Sequence, residues 1–234
     1  MSGHSKWATT KRAKAAVDAK RSNLFTKLSK NITVAARGGL DPNANFKLRM
    51  AIDKARDLNM PKDSIERAIK RAAGVGDGNS IESLLYEAYG PEGAALLIEV
   101  VTDNKNRAVA NIKNILSKYD GNLAGAGSVL WMFDIRGAID LGQSNLSEQA
   151  ELDIIEAGAL DIIHDEQIRI ITELNDLEKV KNNLQSKNFL IKSSEIIYQA
   201  KNQVNLSDPD KLLRLLDALD DDDDVDNIYT NANI

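Results

Sequence analysis

The sequence predicts an α+β protein, with an all-α N-terminal domain followed by two α/β domains. Three observations carry that reading. Through residues 22–73 apolar side chains recur at helical spacing, whereas from residue 81 onward helical patterns alternate with short apolar runs of strand type. Between them lies Gly74-Val75-Gly76-Asp77-Gly78-Asn79-Ser80, a linker composition. The charge changes sign at the same place. Residues 1–73 hold 17 Lys/Arg and 6 Asp/Glu, a balance of +11, and residues 74–234 hold 13 and 29, a balance of −16, leaving a net −5.

Residues 1–21 read as a basic arm. From Lys11 onward its Ala, Lys and Arg content favours helix, and Lys11, Lys14 and Arg21 share one sector at about 100° per residue. The opposite side offers Ala13, Ala16 and Ala19, too thin an apolar stripe to fix the arm by burial. A three-helix domain follows over 22–73. Ser22 or Asn23 is placed to cap a first helix carrying Leu24, Leu28, Ile32 and Ala35, which stops at Gly38-Gly39. After Asp41-Pro42 a second helix presents Leu48, Ala51, Ile52, Ala55 and Leu58, and Asn59-Met60-Pro61 ends it because proline cannot continue a helix. A third aligns Ile65, Ala68, Ile69 and Ala72. The outer faces carry Lys47, Arg49, Lys54, Arg56, Lys62, Arg67, Lys70 and Arg71 besides Lys27 and Lys30.

Beyond the linker, strands at 85–89 and 94–102 flank the Gly90-Pro91-Glu92-Gly93 turn. Residues 106–119 form a helix with Val109, Ile112, Ile115 and Leu116 on one face, and the apolar run 127–134 reads as a buried strand. A strand at 136–141, a helix at 147–157 capped by Ser147, a hairpin of 161–164 and 168–172, a helix at 177–186 and a strand at 190–200 follow. This is the β-α-β-β-α-β order of the ferredoxin-like fold. Ser207-Asp208-Pro209 opens a helix lined by Leu212, Leu215, Leu216 and Leu219, the run Asp220–Asp224 closes it, and 225–230 is a last strand. The preferred organisation joins 81–134 with 206–234 in one α/β domain, into which the ferredoxin-like 135–205 is inserted. Two sequential domains split near 135 are the alternative.

Composition excludes several function classes. There is no cysteine, so disulfides, thiolate metal sites and cysteine nucleophiles are out. The two histidines, His4 and His164, are too far apart in sequence to suggest a shared metal site. No run approaches the ~20 apolar residues of a membrane span, and the charged start lacks the apolar core of a secretory signal. The expectation is a cytoplasmic protein with no cofactor, no metal and no catalytic residue, although a basic, Ala-rich start is also the composition of an organellar transit peptide. The Asp220–Asp224 run reads as a charged loop within a folded domain. Five acids at the end of a helix oppose its dipole, and nothing in the sequence explains them.

The basic N-terminal third points to a polyanionic partner. Residues 1–37 carry nine Lys/Arg against one acid, Asp18, whereas a solvated helical face ordinarily mixes signs. Lys6, Lys11, Arg12, Lys14, Lys20, Arg21, Lys27 and Lys30 are the candidate phosphate contacts. Trp7 has no apolar neighbour of its own size, and either stacks on a base or anchors the arm to the body. Asn104-Lys105-Asn106-Arg107, between a strand and a helix, adds Lys105 and Arg107 as candidates, while helix capping alone accounts for the asparagines. No helix shows a recognition-helix pattern, so direct base readout is not expected. The acidic α/β domains would face a protein partner or solvent.

Several blocks carry a resemblance. They are Gly3-His4-Ser5-Lys6-Trp7 with Lys11 and Lys14-Ala15, Phe25-Thr26-Lys27-Leu28, Asn59-Met60-Pro61-Lys62-Asp63 with Ile65-Glu66-Arg67-Ala68-Ile69, and Tyr86-Glu87 with Tyr89-Gly90-Pro91. Thr102-Asp103-Asn104-Lys105-Asn106-Arg107, Gly127-Ser128-Val129 with Trp131-Met132-Phe133, and 227–230 complete the set. Together they resemble the YebC family, which includes bacterial probable transcriptional regulators and a mitochondrial translational activator of cytochrome oxidase. The resemblance runs almost the whole length. Its departures, at Thr9-Thr10, Ala88 and Ala108, remove no charge. It implies three domains with the two α/β domains around a cleft, and no enzymatic activity. It implies either a DNA-binding transcriptional regulator, the leading reading, or a ribosome-associated translational activator that contacts ribosomal RNA and relieves stalling, for example at proline-rich nascent chains. The −16 body suits the second, since long flanking DNA would repel it and a ribosomal site offers RNA and basic protein together.

Overall fold

The computed structural model describes residues 18–74, 81–164 and 167–234. Helix α1 spans Asp18–Ala36. Neither Gly nor Pro interrupts this stretch, so the helix runs through the expected arm boundary, and Ser22 and Asn23 lie inside it instead of capping it. Helix α2 spans Phe46–Asp57 and is capped by Asn45, whose Oδ1 accepts the Leu48 N–H at 3.1 Å. Helix α3, Lys62–Ala72, starts directly after Pro61. Leu28, Ile32, Leu48, Ile52, Ala55, Ile65 and Ala68 close one small core. Within it the Thr33 hydroxyl bonds both the Ser29 and Ala68 carbonyls, which ties α1 to α3.

Strand β1 (Glu82–Tyr89) and strand β2 (Ala95–Thr102) form an antiparallel hairpin in register from Glu82↔Thr102 to Tyr89↔Ala95. Helix α4 (Lys105–Lys118) returns across the sheet to the short β3 (Asn122–Leu123), which pairs with β1. The next stretch corrects the expectation of a buried strand at 127–134. Residues 130–132 form a single 3-10 turn, and β4 runs from Phe133 to Leu141. The reason is chemical: the N–H groups of Gly127, Val129 and Leu130 are taken by the Glu87 carboxylate, so they do not enter a ladder.

Helix α5 (Glu148–Ala157), β5 (Asp161–His164), β6 (Ile168–Glu173), helix α6 (Leu177–Ser186) and β7 (Ile191–Ala200) complete a second sheet with strand order β5-β6-β4-β7. This is the strand order of a ferredoxin-like unit. β4 and β5 each pair antiparallel with β6. Gly137 on β4 is required here, because a Cβ would collide with Thr172 and with Leu177 at the start of α6.

The chain then adds β8 (Val204–Asn205), helix α7 (Pro209–Asp220), β9 (Val225–Thr230) and β10 (Ala232–Asn233). β9 pairs antiparallel with β2, extending the first sheet to β3-β1-β2-β9, and β8 and β10 make a short parallel ribbon. Leu96, Ile98 and Val100 of β2 pack against Ala108, Ile112 and Leu116 of α4 and the four leucines of α7. By alternation Leu97, Glu99 and Val101 face the other way, the side on which α1 meets β2. The chain divides into two compact units. One is 134–199, and the other holds the three helices together with the first sheet and its helices.

Candidate nucleic-acid interface

Helix α1 points Lys27 and Lys30 at the acidic loop. The Lys27 ammonium donates to the Asp220 carbonyl at 2.7 Å, and Lys30 donates to the Asp223 carbonyl at 3.0 Å and to Asp224 Oδ1 at 2.8 Å. Asn31 Nδ2 reaches Asp226 Oδ1 at 2.7 Å. Positions 27, 30 and 31 share one face because three- and four-residue steps bring helical side chains together. From α4, Arg107 closes on Asp224 with Nε at 3.2 Å and Nη2 at 2.9 Å, while Nη2 also takes Asp103. Asp224 is only 3% exposed.

These contacts explain the acidic run. Asp220 is the last residue of α7, whose unsatisfied carbonyls form the negative end of the helix. Lys27 supplies the cation that this end lacks. Burial pushes the Asp224 carboxyl up, but the hydrogen bonds and charges of Lys30 and Arg107 outweigh it and hold the group below the usual aspartate range. Burial lowers the Lys27 ammonium below its ordinary value, against the raising effect of Asp220, Asp226, Asp222 and Asp223. Glu99, on the same side of the sheet as α1, is pushed up by burial although Asn227 at 2.9 Å and Tyr229 at 3.2 Å donate to it.

The candidate contacts therefore separate. Lys27, Lys30 and Arg107 are brought together, but onto the protein's own acidic loop. Lys105 is exposed in the first turn of α4, next to its cap Asn104. Lys20 and Arg21 fall in the first turns of α1. Lys6, Trp7, Lys11, Arg12 and Lys14 lie outside the described residues, as does 75–80 of the linker. Further exposed cations sit on the outer faces of α2 and α3: Lys47, Arg56, Lys62, Arg67, Lys70 and Arg71. Arg56 meets Asp53 at 3.5 Å and Lys62 meets Glu66 at 3.8 Å. Such surface pairs are worth little and leave the cations open to a competing phosphate. Their helical spacing makes α2 and α3 legible as charged faces, but helical spacing cannot rank them above α1.

Two family models match the chain. Residues 5–75 match the TACO1/YebC protein N-terminal domain, and residues 81–232 match the TACO1/YebC second and third domain. This chain belongs to the TACO1/YebC family. The unmatched gap falls between α3 and β1. A relative from Desulfosudis oleivorans, named a probable transcriptional regulatory protein, is 48% identical over 239 residues, covering 100% of this chain and 97% of its own. A relative of the same name from Kosmotoga olearia is 48% identical over 237 residues, covering 99% and 94%. The crystal structure of a conserved hypothetical protein from Aquifex aeolicus has a TM-score of 0.86 at 38% identity, over 94% of this chain and 93% of that one. Among the described residues no helix is long and apolar enough to cross a membrane.

Proposed function

We propose that this family member is a non-enzymatic, cytoplasmic, nucleic-acid-binding regulator of gene expression, and specifically a DNA-binding transcriptional regulator. The name its relatives carry supports the transcriptional role. The observation that carries nucleic-acid binding is the division of cations in the first 73 residues. The acidic loop neutralises Lys27 and Lys30, while Lys47, Lys62, Lys70 and Arg71 stay exposed on α2 and α3. Together with Lys6, Lys11, Arg12, Lys14, Lys20 and Arg21 of the arm they form a cationic set large enough to act through counterion release. Lys27, Lys30 and Arg107 then hold the helical domain in place, and Lys105 is a secondary contact. The binding is backbone-directed, since phosphate contacts position a protein without reading sequence.

The test is the salt dependence of duplex DNA binding. Neutralising Lys6, Lys11, Arg12 and Lys14 should reduce the slope of log affinity against log salt by roughly 0.9 per lost phosphate contact. An unchanged slope removes the arm from the interface.

A second reading, a translational activator on ribosomal RNA, is favoured by the −16 balance of residues 74–234. That charge is repelled by long flanking DNA and tolerated where RNA and basic proteins lie side by side. Co-sedimentation with ribosomes at physiological salt, beside a footprint on genomic DNA, separates the two. A sequence-specific footprint without ribosome association ends the translational reading.

A further inference from the structure

Trp131 is 63% exposed. A single exposed apolar side chain is ordinary; the construction beneath this one is not. Glu87, on β1 and 8% exposed, accepts the N–H of Gly127 at 2.5 Å, of Val129 at 2.7 Å and of Leu130 at 2.8 Å. The Tyr89 hydroxyl donates to the Ser128 carbonyl at 3.2 Å. On the far side, the Lys201 N–H donates to the Met132 carbonyl at 2.9 Å, and its ammonium donates to the Trp131 carbonyl at 2.8 Å. The indole is fixed as well, its Nε1–H donating to Ser128 O at 3.0 Å. That bond uses the ring edge and not a ring face, and the residue is 63% exposed.

An ionised carboxylate is costly to bury unless fully bonded. Here it is bonded entirely to the loop that carries Trp131, and that loop sends only Val129 into the interior. The result is an aromatic face held in one orientation before any partner arrives, which lowers the ordering cost of binding.

We infer that Trp131 is a stacking platform for an unpaired nucleobase of a single-stranded nucleic acid. The inference rests on the nucleic-acid reading above and deepens it by adding, beside the backbone-directed contact, a site for unpaired bases. Three features on the loop favour it. The exposed ring is flat and accepts any base on its π-face. The Lys201 ammonium donates to the main-chain carbonyl of Trp131, which puts a cation on the same residue that would hold a stacked nucleotide. The approach is open: Gly125, Ala126 and Gly127 are exposed, and a Cβ added to Gly127 meets nothing within 4 Å. A duplex keeps its bases stacked inside, so only unpaired ones can use this platform.

The experiment uses the full chain carrying Trp7→Phe, so that Trp131 is the remaining tryptophan. A 12-mer of oligouridine and a blunt-ended duplex of equal charge, without loop or overhang, are titrated in. Oligouridine should quench the Trp131 emission and the duplex should not. Trp131→Ala should weaken oligouridine binding by roughly 5- to 150-fold, from the stacking energy of about 1–3 kcal/mol per base, and leave duplex binding unchanged. Trp131→Phe should keep most of the affinity. The quenching measurement stands even if the alanine variant fails to fold. Absent quenching together with unchanged oligouridine affinity overturns the platform while the arm-dependent binding survives, and would assign the indole to a protein partner. Failure to bind either nucleic acid overturns the nucleic-acid reading itself, and the platform with it.

Discussion

Lys30 and Asp224, 194 residues apart in sequence, meet at 2.8 Å and fasten helix α1 to the loop that follows α7. With Arg107 on the same carboxylate, a buried aspartate carries two cations from two different elements. Much of what looked like a binding surface on α1 is therefore an internal joint between the helical domain and the first sheet.

Removing the acid should open that joint. Asp224→Asn leaves Lys30, 14% exposed, and the half-exposed Arg107 facing a neutral amide, and losing charge-assisted hydrogen bonds of this kind costs about 2 kcal/mol. Asp223→Asn, one residue earlier and exposed, should stay within about 0.5 kcal/mol of the parent. Urea denaturation measures both, and equal effects would refute the joint.

The half-buried Glu99 should weaken the fold at neutral pH. Its carboxyl lies above the ordinary value of 4.5, chiefly through burial. A raised folded-state value means that stability is fully present below the unfolded value and is lost as pH rises through the folded one. Glu99→Gln keeps an acceptor for Asn227 and Tyr229 and removes the charge. The variant should be more stable than the parent at pH 8 and equal to it below pH 4.5. Denaturation midpoints at the two pH values decide this.

Glu87 should behave in the opposite sense. Burial pushes its carboxyl up, but the N–H groups of Val129, Gly127 and Leu130 bring it below the ordinary value. Its stabilisation is present above the unfolded value of 4.5 and lost as pH falls through the folded one. Glu87→Gln points an amide donor at backbone donors, leaving N–H groups unpaired at about 1–3 kcal/mol each. The variant should lose about 2 kcal/mol in urea at pH 7 and converge on the parent in acid.

The polyanion interface should exclude Lys30. Lys30→Ala should leave the salt slope of binding unchanged, whereas Lys70→Ala and Arg71→Ala should each lower it by roughly 0.9 if each loses one phosphate contact. A slope reduced by Lys30→Ala under conditions where the variant is folded would return α1 to the interface.

The ferredoxin-like unit should not tolerate a side chain at Gly137. Gly137→Ala drives a methyl into Thr172 and Leu177, and overpacking of this kind costs about 1–3 kcal/mol. Thermal melting of the full chain measures it.

Elements with a strong period were legible. The leucines of α7 at 212, 215, 216 and 219 pack as their spacing demands, and on α4 Ile112, Ile115 and Leu116 do so while Ala108, and not the expected Val109, joins them in the core. The β-α-β-β-α-β order of elements in the ferredoxin-like unit was legible along the chain, while the pairing of its strands is a property of the fold. The run 127–134 misled because a short apolar stretch has no period to distinguish a buried strand from a loop. A carboxylate on another strand, Glu87, decided it.

By itself the sequence determined the α+β class and the opposite charge balance of its two parts, because composition and periodicity are local properties of the chain, and its motif blocks carried the family resemblance. Only the tertiary structure decided which charges remain available. Lys27, Lys30 and Arg107 meet the acidic loop because folding brings α1 and α4 to the end of α7, and partners up to 194 residues away leave no local pattern. The same holds for Trp131, whose exposure depends on bonds to Glu87 and Lys201 from distant parts of the chain.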